Sequence, residues 1–165
     1  MKGGIAVMST VDDVAAYILR ERGSMTTWKL QKLVYYSQAW HLVWDETPLF
    51  ADRIEAWANG PVVRALYDRH RGQFSVSGWR WGDPSTLSVD ERETIDAVLH
   101  SYGDLSGRQL SHLTHEEDPW RLARGDLGPT TASSVEISQE SMLAFYGALD
   151  ADPNVPSVDE IDWSA

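Results

Sequence analysis

The 165-residue chain contains no cysteine. That absence excludes structural disulfides, thiolate zinc sites, iron–sulfur clusters and a cysteine nucleophile together. No apolar run approaches the roughly 20 residues that a membrane-spanning helix needs, and the first residues lack the basic start and apolar stretch of a signal peptide. A soluble cytoplasmic protein is expected. The last quarter has no basic residues: from Gly125 onward there is neither Lys nor Arg, while Asp126, Glu136, Glu140, Asp150, Asp152, Asp159, Glu160 and Asp162 carry much of the net charge of −11. Such a segment repels a phosphate backbone, which argues against direct nucleic-acid binding, and attracts a basic protein partner. The alternative is a solvated, partly frayed terminus. Also missing are a phosphate-binding loop and a G-x-S-x-G nucleophile elbow. The carboxylate pairs Asp12–Asp13 and Glu116–Glu117 are adjacent in sequence, so they face different sides of a helix and cannot share a substrate.

What remains suffices for one core, because this length buries a sizeable apolar interior without metals or disulfides. Helical spacing of Val11, Val14, Ala15, Ile18 and Leu19 predicts a helix from about Val11 to Arg20, capped by Ser9 or Thr10 and stopped by Gly23. A second helix is predicted from about Trp28 to Trp44. At ~100° per residue its apolar side chains cover nearly the whole circumference, so it must be buried and central. Gln31 and Gln38 mark its narrow polar strip, and Ser37 and His41 fall among apolar neighbours as hydrogen-bonded core groups. Residues 53–58 alternate as a short strand, and Asn59–Gly60–Pro61 then opens a helix with proline at its first position. The stretch 72–86, with Trp79 and Trp81, is a short hairpin or an irregular loop. Capping boxes at Ser88/Glu91 and Ser106/Gln109 start two more helices, and a last one follows Ser138, with Ile137 placed to staple it. The expected fold is mainly α: one compact domain around a buried central helix, with a minor strand or hairpin element.

Two constellations carry possible chemistry. In "LTHEEDPW", Leu113 to Trp120, a metal-dependent hydrolase would use His112, His115 and Glu116, but no second cluster supplies further ligands. Read as punctuation between helices, Asp118 is the cap, Pro119 starts the next helix and Trp120 anchors it, leaving only His115 unexplained. Arg64, Arg69, Arg71 and Arg80 form either a basic patch near Trp79 and Trp81, fit for a protein partner, or a solvated face.

Four stretches in fixed order, "KLQKLVYYSQAWHL", "PLFADRIEAWANGPVVRALY", "LSGRQLSHLTHEEDPW" and "ISQESMLAFY", resemble the Panacea domain, also described as the SocA-like, phage-associated protein family. The similarity runs from about Val11 to Leu149. It delimits a lead of residues 1–10, a domain of residues 11–149 and an acidic tail of residues 150–165. The resemblance implies an antitoxin of a type II-like toxin–antitoxin pair, neutralising by direct binding a toxin encoded beside it. It also leaves open a proteolytic adaptor that delivers the toxin to a protease. No catalytic residue, metal or cofactor is established for that family, and none is expected here. Trp28, Lys29, Lys32, Trp57, Asn59, Gly60, Pro61, His115 and Trp120 match its motifs. Trp57, Asn59, Gly60, Pro61, His115, Asp118, Pro119 and Trp120 are expected to be architectural. Partner contact is expected from surface-directed Lys29 and Lys32, from Arg64, Arg69, Arg71, Trp79 and Trp81, and from Asp159, Glu160 and Asp162 of the tail.

Overall fold

The computed structural model describes residues 9–155 and 158–163. Residues 1–8 of the expected lead and Pro156, Ser157, Ser164 and Ala165 of the expected tail lie outside them. The domain is mainly helical with two small antiparallel sheets. Helix α1 (Val11–Arg22) begins in a capping box: the Thr10 hydroxyl accepts from the Asp13 amide, and the Asp13 carboxylate accepts from the Thr10 amide. A two-residue strand β1 (Met25–Thr26) leads into α2 (Thr27–Asp45), capped by the Thr26 side chain. The all-round apolar surface of α2 has the predicted consequence. Leu30, Leu33, Val34, Tyr35 and Tyr36 are wholly buried, each large aliphatic side chain contributing about 1.5–3 kcal/mol of apolar transfer.

Polar side chains of α2 at Thr27, Gln31, Lys32, Ser37, Gln38 and His41 are buried too, and each has a backbone or side-chain partner. Gln38 accepts from the Leu49 amide at 2.7 Å and donates to the Phe50 carbonyl at 2.8 Å, tying down the segment that follows the helix. Gln31 spans the amide and carbonyl of Val63. Thus the two glutamines form no solvent strip; they replace missing ladder partners for chain segments that cross the helix. Ser37 donates to Leu33 O, and His41 Nδ1 pairs with Thr94 Oγ1 at 3.1 Å, as core groups should.

Strands β2 (Ile54–Trp57) and β3 (Gly60–Val63) form a hairpin around the two residues Ala58 and Asn59. This corrects the expectation that Pro61 opens a helix. Pro61 pairs with Ala56 in β3, and α3 (Arg64–His70) starts three residues later. Because β3 is the edge of the order β3-β2-β5, a residue without an N–H can be accommodated there. Strand β4 (Ser75–Val76) pairs with β1, and the remainder of residues 72–86 is irregular apart from a 3₁₀ turn at Pro84–Thr86. Helices α4 (Val89–Tyr102) and α5 (Gly107–His115) carry the two predicted capping boxes. Helix α6 (Asp118–Arg124) departs from expectation at its first residue: the cap position is Glu117, Asp118 lies inside the helix, and no side chain caps it. The Asp118 carboxylate instead pairs with Arg121 at 3.3 Å. Strand β5 (Glu136–Ile137) adds to β2, and α7 (Gln139–Ala151) closes the domain. Among the described residues no helix is long and apolar enough to cross a membrane.

Candidate functional site

The β2–β3 hairpin, the start of α2 and α3 enclose a cavity of about 680 Å³. Trp28 and Gln31 line it from α2, Trp57 and Asn59 from the hairpin, Arg64 and Tyr67 from α3, and Ser133 and Ser134 from the segment before β5. Lys32 also lines it. Its side chain is 1% exposed, which corrects the expectation that this lysine is surface-directed. One turn of helix separates the partly exposed Trp28 from Lys32, so α2 places an indole at the mouth and an ammonium deep inside.

The Lys32 Nζ donates to Pro61 O at 3.1 Å, and no carboxylate pairs with it among the described residues. Burial alone pulls its pKa down to about 7. Two imidazoles feel the same charge. Burial, with Lys32 adding to it, lowers the pKa of both His70 and His115. His70 Nε2 lies 3.0 Å from the Gln31 carboxamide nitrogen, which fits a tautomer in which this ring nitrogen accepts.

Gly60 explains why the hairpin motif has glycine at this place. Its φ is +121°, and a Cβ built there would stand 2.5 Å from Lys32 Cε and 3.1 Å from Thr114 Oγ1. The glycine of the hairpin and the lysine of α2 are therefore one packing unit.

His115, the residue that punctuation left unexplained, stacks on Trp120 with ring centroids 4.0 Å apart and planes 8° apart. Its Nε2 is buried without a hydrogen-bond partner among the described residues. Trp120 Nε1 in turn donates to Trp57 O at 2.8 Å, fixing α6 to the hairpin. His112 faces the other way, exposed and 3.0 Å from Glu116. The three residues of the hydrolase reading are thus not brought together, and among the described residues no group of three or more His, Asp or Glu side chains is arranged to hold a metal.

Four of the matched motif residues, Trp28, Lys32, Trp57 and Asn59, line one cavity, and Gly60, Pro61, His115 and Trp120 pack behind it. The family model described as "Antitoxin SocA-like, Panacea domain" matches residues 30–121. The chain belongs to this family. The match takes in most of α2, the hairpin and the whole of α3, α4 and α5, so the cavity is built largely from Panacea-domain sequence. No curated protein and no solved structure matches the chain.

The expected partner-contact residues separate into distinct places. Arg69 and Arg80 lie over the Trp81 ring at 5.3 and 4.9 Å, and Trp79 packs edge-on to Trp81 while donating to Asp12 at 2.9 Å. Arg64 does not join them; it lies over Trp57 at 5.5 Å, at the cavity. Arg71 is exposed at the end of α3. Lys29 is partly buried, with Nζ 2.7 Å from Gly103 O. Asp159 and Glu160 sit in a 3₁₀ turn, Val158–Glu160, whose Val158 packs on the core, and Asp162 follows it.

Sequence reasoning missed two features. Phe74 is 82% exposed, in the same irregular segment as Trp79 and Trp81. Glu117 is more consequential. Its carboxylate accepts from Tyr36 and Tyr146, each at 2.7 Å, and Tyr146 is 3.0 Å from Tyr35. Burial pushes its pKa up to about 7 from an ordinary 4.5, against the lowering effect of the two hydroxyls. Folded protein therefore keeps a proton that unfolded chain releases between pH 4.5 and 7, so this group's contribution to stability falls as pH rises through that window. Glu117→Gln retains an oxygen that accepts both hydroxyls and cannot ionise. Urea unfolding should find the variant more stable at pH 8 by up to about 3 kcal/mol, with the difference shrinking toward pH 5. An unchanged pH profile would show that the proton is not held at this carboxylate.

Proposed function

We propose that this antitoxin-family protein acts by stoichiometric binding of a cognate toxin encoded beside it. Membership of the SocA-like antitoxin family, established over residues 30–121, carries this reading. Two surfaces suit the partner. One is the cluster of Arg69, Arg80 and Trp81, with the exposed Phe74 in the same segment of chain, since arginine and aromatic side chains supply most binding energy at interfaces. The other is the acidic run after α7, whose charge suits a basic cleft in a toxin acting on nucleotides or RNA.

Co-expression with the neighbouring gene tests the reading: growth arrested by the neighbour alone should be restored, and the two proteins should co-purify in fixed ratio. Restored growth with the neighbour's protein lost from the cell would instead indicate delivery to a protease. Continued arrest with both proteins present would overturn the proposal. Truncation after Ala151 removes the acids beyond α7 while sparing that helix, and undiminished rescue by the truncated protein would remove the tail's role.

A further inference from the structure

We propose that the cavity above Lys32 is a binding site for a small carboxylic acid with a planar, apolar body, the carboxylate meeting Lys32 at the floor and the ring lying between the walls of Trp28 and Trp57. This goes beyond toxin binding and does not depend on it.

The first support is the lysine itself. An ammonium has three donors, and Lys32 has one acceptor within reach among the described residues, Pro61 O at 3.1 Å. It is 1% exposed and has no acidic partner. Burial without a counter-ion disfavours the charged form of this amine, and an anion brought against it would restore that form.

The rest of the floor is already engaged. Gln31 uses its carboxamide on Val63 and His70, leaving Lys32 as the polar group with spare capacity. At the rim, the Asn59 carboxamide has no hydrogen-bond partner among the described residues, while Trp28 Nε1 reaches the Asn59 carbonyl at 3.4 Å. Arg64, the other cation at the opening, is drawn toward Glu55 at 3.9 Å. A phosphate group asks for several convergent donors. One amine with spare donors, in walls that include the Trp28, Trp57 and Tyr67 rings, fits a monoanionic carboxylate better. A volume of about 680 Å³ falls within the range of small-molecule sites, which are apolar with a few placed polar groups.

The test uses the full chain and two probes, indole-3-acetate and its uncharged amide, indole-3-acetamide. Binding is followed by amide and indole chemical shifts. The acetate should perturb Trp57, Asn59 and Ser133 and bind at least tenfold more tightly than the amide. Lys32→Met, which removes the charge but keeps most of the volume, should abolish that preference while leaving the rest of the spectrum in place. Equal binding of acetate and amide, no binding of either, or the same preference in the Lys32→Met protein would each overturn the proposal. A tetrapeptide ending in tryptophan, with free or amidated terminus, separates two sources of the carboxylate. If only the free-acid peptide outcompetes indole-3-acetate, the carboxylate belongs to a chain terminus and the small-molecule assignment fails.

Discussion

Lys32→Met should make the protein more stable at neutral pH, by about 2–4 kcal/mol, because it replaces a buried cation lacking an anionic partner with an apolar chain of similar length. The pH dependence is specific. Lys32 has a folded pKa near 7 against an ordinary 10.5, so the unfolded chain binds a proton between those values that the folded chain does not. Stability of the wild type therefore rises from this group as pH climbs from 7 toward 10.5, and the cost is fully present below pH 7. The groups that feel its field are the imidazoles of His70 and His115, both held toward their neutral forms. In the variant, the rise attributable to Lys32 should vanish. Denaturant melts of both proteins at pH 7 and pH 9.5 check this, with the stability gap narrowing at the higher pH. A variant less stable than the wild type at pH 7 would mean that the buried amine is not a net cost to the fold.

The lysine's cost gives the hairpin its meaning. Gly60 is left-handed and stripped of a side chain because Lys32 Cε occupies the space a Cβ would need, and Pro61 presents the carbonyl that Lys32 uses. Three motif residues on two elements thus maintain one destabilising feature. Local sacrifice of this kind concentrates at sites of function.

Much of this fold was legible because it rests on local rules. Capping boxes at Ser88 and Ser106 work through partners three residues away, and the all-round apolar pattern of α2 has only one physical outcome. The errors came where a distant element decides. Lys32 at one position after Gln31 reads as a helix-surface lysine until the hairpin folds over it. Pro61 after Asn59–Gly60 has the spacing of a helix start, but its strand pairing with Ala56 depends on an edge vacancy in the sheet. In the sequence Glu117 stands out only as half of the adjacent pair Glu116–Glu117, which cannot share a substrate. Its real partners, Tyr36 and Tyr146, come from α2 and α7, and no local pattern joins them. The arginine–tryptophan cluster was half legible: Arg69, Arg80 and Trp81 meet, while Arg64 is diverted to Trp57.

Arg124→Ala should be the most damaging single change outside the apolar core. This arginine, 5% exposed at the end of α6, donates to Ala56 O at 3.0 Å, Gly128 O at 2.7 Å and Thr131 O at 2.8 Å, and its guanidinium lies 5.3 Å from the Trp120 ring centroid. It thereby joins the middle of β2 to residues 125–135, a stretch that forms neither helix nor strand and supplies Thr130, Ala132, Ser133 and Ser134 to the cavity wall. Hydrogen bonds from a charged donor are worth about 1.5–3 kcal/mol each, and truncation would leave carbonyls without that donor, so a loss of about 3–5 kcal/mol is expected. Arg124→Lys should recover only part of it, because a single ammonium cannot span carbonyls that a planar fork reaches together. Of the remaining anchors, Gly125 N to Arg121 O at 3.0 Å and Leu127 N to Arg124 O at 3.1 Å only continue the turn at the end of α6, while Arg53 to Ser134 O at 2.7 Å and Ala56 N to Val135 O at 2.8 Å hold the far end of the stretch to β2 and the residue before it. Hydrogen exchange should therefore quicken from about residue 125 to 131 before it does at 134 and 135. An unfolding free energy within about 0.5 kcal/mol of wild type, the range of an ordinary surface substitution, would show that the segment holds its place without the guanidinium.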